Sequence, residues 1–431
     1  MRGRWFGRRR RATASAGTGT PRRRLAFWTY LAAAGPGLIA ANAGNDAGGI
    51  ATYASAGSQF VYRTLFFMVL VTVGLVVVQE MSARLGAYTG KGLAALIREQ
   101  FSLRWAALAM GCVLLANVGL VVSEFAGIGA AFELLGVSRY LSVPLAALGI
   151  WSLVLFGSYR YAERAFLGLS LAFLSYPIAA VLGHPRWSSV AANLAFPHFV
   201  ASRDFIFVVV ALIGTTISPY MQLYGAAGVV DRGIGPDEYR LERIDTVGGA
   251  LFANVISMFI IIATAAAIGG NGPLTSAKQA AEALRPVAGA GAQVVFALGL
   301  LGASALAGAV VPLSTAYAIS EAVGVERSVS RRFREAPLFL GLFTAQVVVG
   351  AAVALTPVNL VRLLIGTQVL QGIITPVVLA FILVMGNRRA ILGEAVNGPV
   401  FRKVSLVAVG GVATLSVVLV AQTVAGWLGI A

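Results

Sequence analysis

The sequence predicts an all-α polytopic membrane protein of about eleven transmembrane helices, and three observations predict it. Hydrophobic residues fill 58% of the 431 positions and charged residues only 12%, about half the charged share of a soluble domain. The apolar residues cluster in stretches of roughly 20, each long enough to cross a bilayer. Two of those stretches, five apart, carry helix breakers at their centres.

The eleven stretches lie at about 27–55, 62–83, 106–136, 142–159, 165–183, 204–230, 246–269, 291–320, 337–355, 359–385 and 403–428. Several exceed the length a perpendicular crossing needs, which predicts tilt or breaks. A basic tail over residues 1–24 precedes them, with nine arginines and no acid. Such a composition predicts a disordered cytosolic segment drawn to anionic lipid, and no nucleic-acid partner is needed to explain it. The apolar run after the tail contains Asp46 and shows no convincing small-residue cleavage site, so it reads as a retained first helix.

Charge placement predicts orientation. With the amino terminus in the cytosol, 26 of the 33 basic residues fall in cytosolic segments, as the positive-inside rule requires. Eleven spans then put the carboxyl terminus outside the cell membrane. Trp28, Tyr30 and Trp427 read as interfacial anchors. The single Cys112 excludes an internal disulfide, and two histidines, His184 and His198, both in one outer loop, are too few for a typical zinc enzyme.

The first span reads GPGLIAANAGNDAGG, with Gly44, Gly48 and Gly49 around Asp46. The sixth reads VVVALIGTTISPYMQLYG, with Gly214, Thr215, Thr216 and Ser218 ahead of Pro219. Glycine costs about 1 kcal/mol and proline about 3 kcal/mol in a helix interior, so both spans are expected to unwind near mid-membrane. Unwound backbone survives at that depth only inside protein or beside a wet cavity. Two interrupted spans in corresponding positions point to inverted repeats of five helices with the substrate site between them. Their freed carbonyls and the Asp46 carboxylate make an oxygen-rich cation site. The competing structural reading, in which glycines merely permit close packing and Asp46 pairs with Arg362, is the weaker one because intramembrane acids are functional by default. On the functional reading, Asp46 and Ser218 are expected on opposite walls of one polar cavity. The organisation is then a tail over 1–24, a transporter core over 25–390 and a linker with a peripheral eleventh helix over 391–431. The core's repeats fall at about 27–183 and 204–385.

At these residues the chain resembles a known family. GPGLIAANAGNDAGGIATYASAGSQFVY is similar to the first helix of the Nramp divalent-metal transporters, whose signature there is Asp-Pro-Gly-Asn. GTTISPYMQLY resembles their sixth helix, which carries Met-Pro-His, SEFAGIGAAFELLG the third, LERIDT the linker before the seventh, and TQVLQGIITP the tenth. The similarity stays in register from about residue 27 to 385. It implies the LeuT-type fold, with 5+5 inverted repeats and broken helices 1 and 6, and a metal site on matching positions. Asp46 takes the place of the signature aspartate, Ala43 and Thr215 fall where backbone carbonyls reach the metal, and Gln368 matches a glutamine that approaches it as the site closes inward.

The departures carry the substrate prediction. Gly49 stands where the family has an amide ligand, Ser218 where it has a methionine, and Tyr220 where it has the histidine. Glu124 keeps the third-helix glutamate, whereas Val121 stands where many members have an aspartate implicated in proton transfer. Loss of the amide and the soft thioether widens the site and leaves oxygen chemistry alone. A wide, hard site with few direct ligands suits an ion that keeps its water, and Mg²⁺ usually does. The pattern resembles the Nramp-related magnesium transporter branch. The predicted metal positions are therefore Asp46, Ala43, Gly49, Thr215, Ser218 and Gln368, with Asn45, Glu124, Tyr220 and Thr216 along the water shell or pathway. Thr216, Gln371 and Thr375 offer polar groups to water, although their spacing also suits ordinary packing.

The losses at Val121 and Tyr220 remove titratable groups from the family's proton route, which predicts transport without proton coupling. The expected function is import of partly hydrated Mg²⁺, with Mn²⁺ as a second substrate, by alternating access. No cofactor is expected, and the partners are the divalent ion and the lipid bilayer, with the chain acting as a monomer. The alternatives are a proton-coupled Mn²⁺ or Fe²⁺ importer of the Nramp type and a sodium-coupled organic solute carrier of the same architecture. An enzyme is not expected: GxSG is absent and only one interior aspartate is evident.

Overall fold

The computed structural model describes residues 46–156, 159–325 and 334–427. The predicted basic tail, the first half of the first span, Ala43 and Asn45 lie outside them. Every long apolar stretch within the description is helical, and no strand occurs among the described residues. The α-helices are α1 (Ala47–Phe60), α2 (Leu65–Thr89), α3 (Leu93–Gln100), α4 (Leu103–Leu134), α5 (Arg139–Leu155), α6 (Tyr159–Ser170), α7 (Ser175–Leu182), α8 (Trp187–Ala195) and α9 (Arg203–Thr216). They continue with α10 (Pro219–Asp231), α11 (Tyr239–Ile268), α12 (Ala277–Ala281), α13 (Arg285–Ala288), α14 (Ala292–Val323), α15 (Pro337–Ala354), α16 (Leu360–Gly386), α17 (Arg389–Leu392) and α18 (Pro399–Trp427). Among the described residues nine helical stretches are long and apolar enough to span a membrane. The apolar α5 is slightly shorter, and α1 is the described half of the first span.

Prolines set the irregularities. Pro177 removes the N–H that would bond to the Phe173 carbonyl and crowds that carbonyl. The chain answers by tightening into a 3₁₀ turn over Leu171–Leu174 between α6 and α7. Pro376 likewise strips the Gly372 carbonyl of its helical partner, and Ser416 of α18 donates its hydroxyl to that carbonyl at 2.8 Å. That bond pins the last helix to α16. In the sixth predicted span α9 stops at Thr216 and α10 restarts at Pro219, so Ile217 and Ser218 are the unwound pair. Proline suits the first helical position because no N–H is needed there.

The centre is built from α1, α4, α9, α14 and α16. Close approach is explicit where α9 crosses α16: a Cβ at Gly214 would collide with the Gln368 carbonyl and stand 3.0 Å from the Gly372 Cα. The outward faces carry exposed leucines and valines, such as Leu145, Leu148 and Val407, which suit hydrocarbon. The all-helical architecture and the break between α9 and α10 are those expected of the LeuT type.

Glu80 and Arg84, one turn apart on α2, meet at 3.2 Å. The cluster is larger than that. Tyr239 donates its hydroxyl to Glu80 Oε1 at 2.7 Å, and Arg243 Nε lies 3.6 Å from the same oxygen. Arg84 donates to the Ala395 carbonyl at 3.0 Å and to Asn397 Oδ1, and its guanidinium covers the Phe401 ring. One buried carboxylate thus ties α2 to α11, and Arg84 ties α2 to the linker before α18. Removing one partner of such a pair leaves a charge buried. Arg84→Leu is expected to lower stability by about 3 kcal/mol, read as a fall in unfolding midpoint in detergent. Glu80→Met combined with Arg84→Leu should lose clearly less.

Candidate metal site

Asp46 is the N-cap of α1 and is 2% exposed. Its backbone is extended, and its Oδ1 accepts the Gly49 N–H at 2.5 Å while its carbonyl accepts that of Ile50 at 3.0 Å. A capping carboxylate satisfies a donor that the helix start leaves open, and the positive end of the helix dipole favours its charge. The glycines follow from crowding. A Cβ at Gly48 would overlap the Gln368 amide and stand 2.5 Å from Ser123 Oγ, and one at Gly49 would stand 2.6 Å from Thr215 Oγ1. Only glycine lets the helix start come this close to α4, α9 and α16.

Three further elements surround the carboxylate. Thr215, in the last turn of α9, donates its hydroxyl to Asp46 Oδ1 at 3.5 Å. Glu124 of α4, fully buried, receives the Ala47 N–H on Oε2 at 3.5 Å. Its Oε1 has no hydrogen-bond partner among the described residues. From α16, Gln368 donates through Nε2 to Ser123 Oγ at 3.5 Å and accepts from Gln371 Nε2 at 3.1 Å. The structure therefore gathers Asp46, Gly49, Thr215, Gln368 and Glu124 around the start of α1.

Other predicted positions are placed differently. Ser218 is fully buried, but its hydroxyl turns back to the Gly214 carbonyl at 3.0 Å and approaches that of Thr215 at 3.5 Å. Those are carbonyls that the helix break releases. Thr216 meets the Tyr53 hydroxyl at 3.2 Å, so it faces the α1 wall. Tyr220 is buried in the first turn of α10. Asn45 and Ala43 precede the described residues.

The expected polar cavity between Asp46 and Ser218 is not one of the two cavities found among the described residues. The described cavities are apolar: one of about 250 Å³ between α8 and α11, and one of about 10 Å³ bordered by Ala47, Phe296, Leu300 and Leu364. Neither is lined by Asp46 or Ser218. The structural alternative for Asp46 also finds no support, since Arg362 is exposed at the start of α16. No group of three or more His, Cys, Asp or Glu side chains suited to a metal occurs among the described residues; beside the Asp46 and Glu124 carboxyls, the groups gathered here are amides and hydroxyls. His184 and His198 are exposed in their loop.

Sequence reasoning passed over Tyr53 and Ser304. Ser304 of α14 is fully buried, its hydroxyl has no partner among the described residues, and a Cβ at Gly127 would strike it. Its only signal was a lone hydroxyl in a run of alanine and glycine. The crowding at Gly49 yields a direct check. Gly49→Ala is expected to cost about 1–3 kcal/mol through overpacking, measured as a lowered unfolding midpoint. Adding Thr215→Ala, which removes the clashing hydroxyl, should recover most of that loss.

Residues 37–422 match the family model described as Nramp: Natural resistance-associated macrophage protein-like. A divalent metal cation transporter MntH of Ralstonia nicotianae is 31% identical, the match covering 93% of each chain. The divalent metal cation transporter MntH 1 of Pseudomonas aeruginosa is 30% identical over 88% of this chain and 87% of its own. Among solved structures, the Eremococcus coleocola manganese transporter superposes with a TM-score of 0.73 at 19% identity, covering 95% of this chain and 90% of that one. The helix-breaking pattern, the LeuT-type architecture and this match over most of the length lead to one conclusion: the chain belongs to the Nramp family of divalent metal cation transporters.

Proposed function

We propose that this protein imports partly hydrated Mg²⁺, with Mn²⁺ as a second substrate, by alternating access and without proton coupling. The observation that carries the reading is the donor set around Asp46. Its neighbours are the Thr215 hydroxyl, the Gln368 amide and the Glu124 carboxyl's helix contact, with no thioether, thiol or imidazole among them. Gly49 contributes only a backbone N–H, which the carboxylate itself uses. An ion entering such a site gains one carboxylate and a few neutral oxygens, too few to replace a full hydration shell. Water must stay on the ion, and a hard cation that dehydrates reluctantly is the one that tolerates this.

In the proposed cycle the ion enters from outside, displaces Gly49 and Thr215 from the carboxylate, and leaves to the cytosol when α9 and α10 move about their unwound junction. Thr215 and Ser218 can trade hydrogen bonds for ion or water contacts at little cost, since their present partners lie at 3.0–3.5 Å. Because the cell interior is negative, inward movement of a cation runs down the membrane potential. The potential supplies about 2.3 kcal/mol per charge per 100 mV, and a divalent ion gains roughly twice that. No partner ion is needed.

The absence of a proton relay has support beside α4. Val121 is fully buried against Gly350 of α15, where an added Cβ would stand 2.6 Å from its Cγ1. An apolar contact there offers no site to accept a proton from Glu124. Manganese, for which the Eremococcus coleocola transporter is named, suits the same oxygen-rich site as a second cargo.

Uptake into proteoliposomes tests the reading. Wild-type protein is expected to carry Mg²⁺ and Mn²⁺ without acidifying the lumen, and Asp46→Ala to lose at least about tenfold in uptake of both. Cd²⁺ carried far better than Mg²⁺, acidification that tracks Mg²⁺ entry, or full activity in Asp46→Ala would each contradict it.

A further inference from the structure

The α16 helix presents Gln368, Gln371 and Thr375 on one face, at spacings of three and four residues. All three are buried, with Gln371 fully so. Gln368 lies against Gly48, in the first turn of α1, and the Thr375 hydroxyl, which donates to the Gln371 carbonyl at 2.7 Å, stands 3.4 Å from the Ile217 carbonyl, at the break of the sixth span. Gln371 is held between these two meeting points. Its Nε2 donates to Gln368 Oε1 at 3.1 Å, while its own Oε1 has no hydrogen-bond partner among the described residues.

A fully buried amide oxygen is rarely left without a donor. Here the oxygen sits one turn from the residue that lines the Asp46 site, on the path between the two broken spans. A second orphan, Glu124 Oε1, belongs to the carboxyl whose other oxygen accepts the Ala47 N–H at the start of α1. Both are acceptor oxygens in the polar cluster that would receive an ion on Asp46. They can receive hydrogen bonds from the water such an ion keeps.

We propose that Gln371 is a specificity-determining residue of the cation path: it occupies the oxygen of Gln368 and offers its own buried oxygen to the ion's water shell. This deepens, and rests on, the reading of Asp46 as the carboxylate of a hydrated-ion site. With Gln368 Oε1 engaged by Gln371, Gln368 is withheld as a direct ligand, and an ion that must shed water to bind loses its replacement. An ion that retains water instead finds an acceptor in place. Removing the Gln371 amide reverses both effects, since it frees Gln368 to act directly and deletes a water acceptor. The penalty falls hardest on the ion most reluctant to dehydrate, which is Mg²⁺.

The test compares Mg²⁺ and Mn²⁺ uptake in proteoliposomes for wild type, Gln371→Met and Gln371→Asn. Methionine keeps the volume without polar atoms, and asparagine withdraws the amide by one methylene, so either variant decides if the other fails to insert. Each is expected to lower the Mg²⁺ to Mn²⁺ uptake ratio about fivefold to tenfold, the worth of one lost hydrogen bond. A ratio equal to that of wild type, whether absolute rates stay level or fall in parallel, overturns the role of Gln371 alone. A wild type that carries Mn²⁺ but no Mg²⁺ overturns the underlying reading as well, so the two failures are told apart.

Discussion

A carboxylate capping its own helix is the constraint from which the rest of the site follows. Asp46 takes the Gly49 N–H at 2.5 Å and starts α1 in the middle of the fold. A charged group so deep is costly unless donors or an ion balance it. The helix start supplies donors when no ion is present. An arriving cation then competes with two hydrogen bonds and a helix dipole rather than with a strong ion pair. That balance suits transport, because a substrate must be bound firmly enough to enter and weakly enough to leave.

Close packing serves the same end. Gly48, Gly49 and Gly214 let α1, α9 and α16 approach until amide and hydroxyl groups interlock. The resulting site is tightly packed, with Glu124 Oε1 and Gln371 Oε1 as its open acceptors among the described residues. In the proposed cycle, opening turns α9 and α10 about Ile217 and Ser218, the unwound pair between them. Away from the site, the Glu80 cluster and the Ser416 bond to Gly372 fasten the surrounding helices. The molecule thus places loose polar contacts where movement is needed and a buried ionic cluster where it is not.

Much of this was legible in the sequence, for a local reason. Span number and the break at Ile217–Ser218 follow from hydropathy and from glycine and proline, whose effects act within a turn. The departures at Gly49, Ser218, Tyr220 and Val121 were likewise visible residue by residue. Side-chain direction was not. Ser218 was expected to face Asp46 across a cavity, yet its hydroxyl returns to Gly214 because a freed carbonyl one turn back is the nearer partner. The Gln371 to Gln368 to Ser123 relay and the reach of Tyr239 to Glu80 depend on how helices far apart in sequence rotate against each other. No local pattern encodes that rotation.

The most direct test is diffraction from crystals grown with Mg²⁺, and with Mn²⁺ as its anomalous substitute. The account predicts one ion bound directly to the Asp46 carboxylate at about 2 Å, carrying several waters. Those waters should bridge to Thr215, Glu124 and Gln371. An ion stripped of water and enclosed by protein ligands, or one bound away from Asp46, would contradict it.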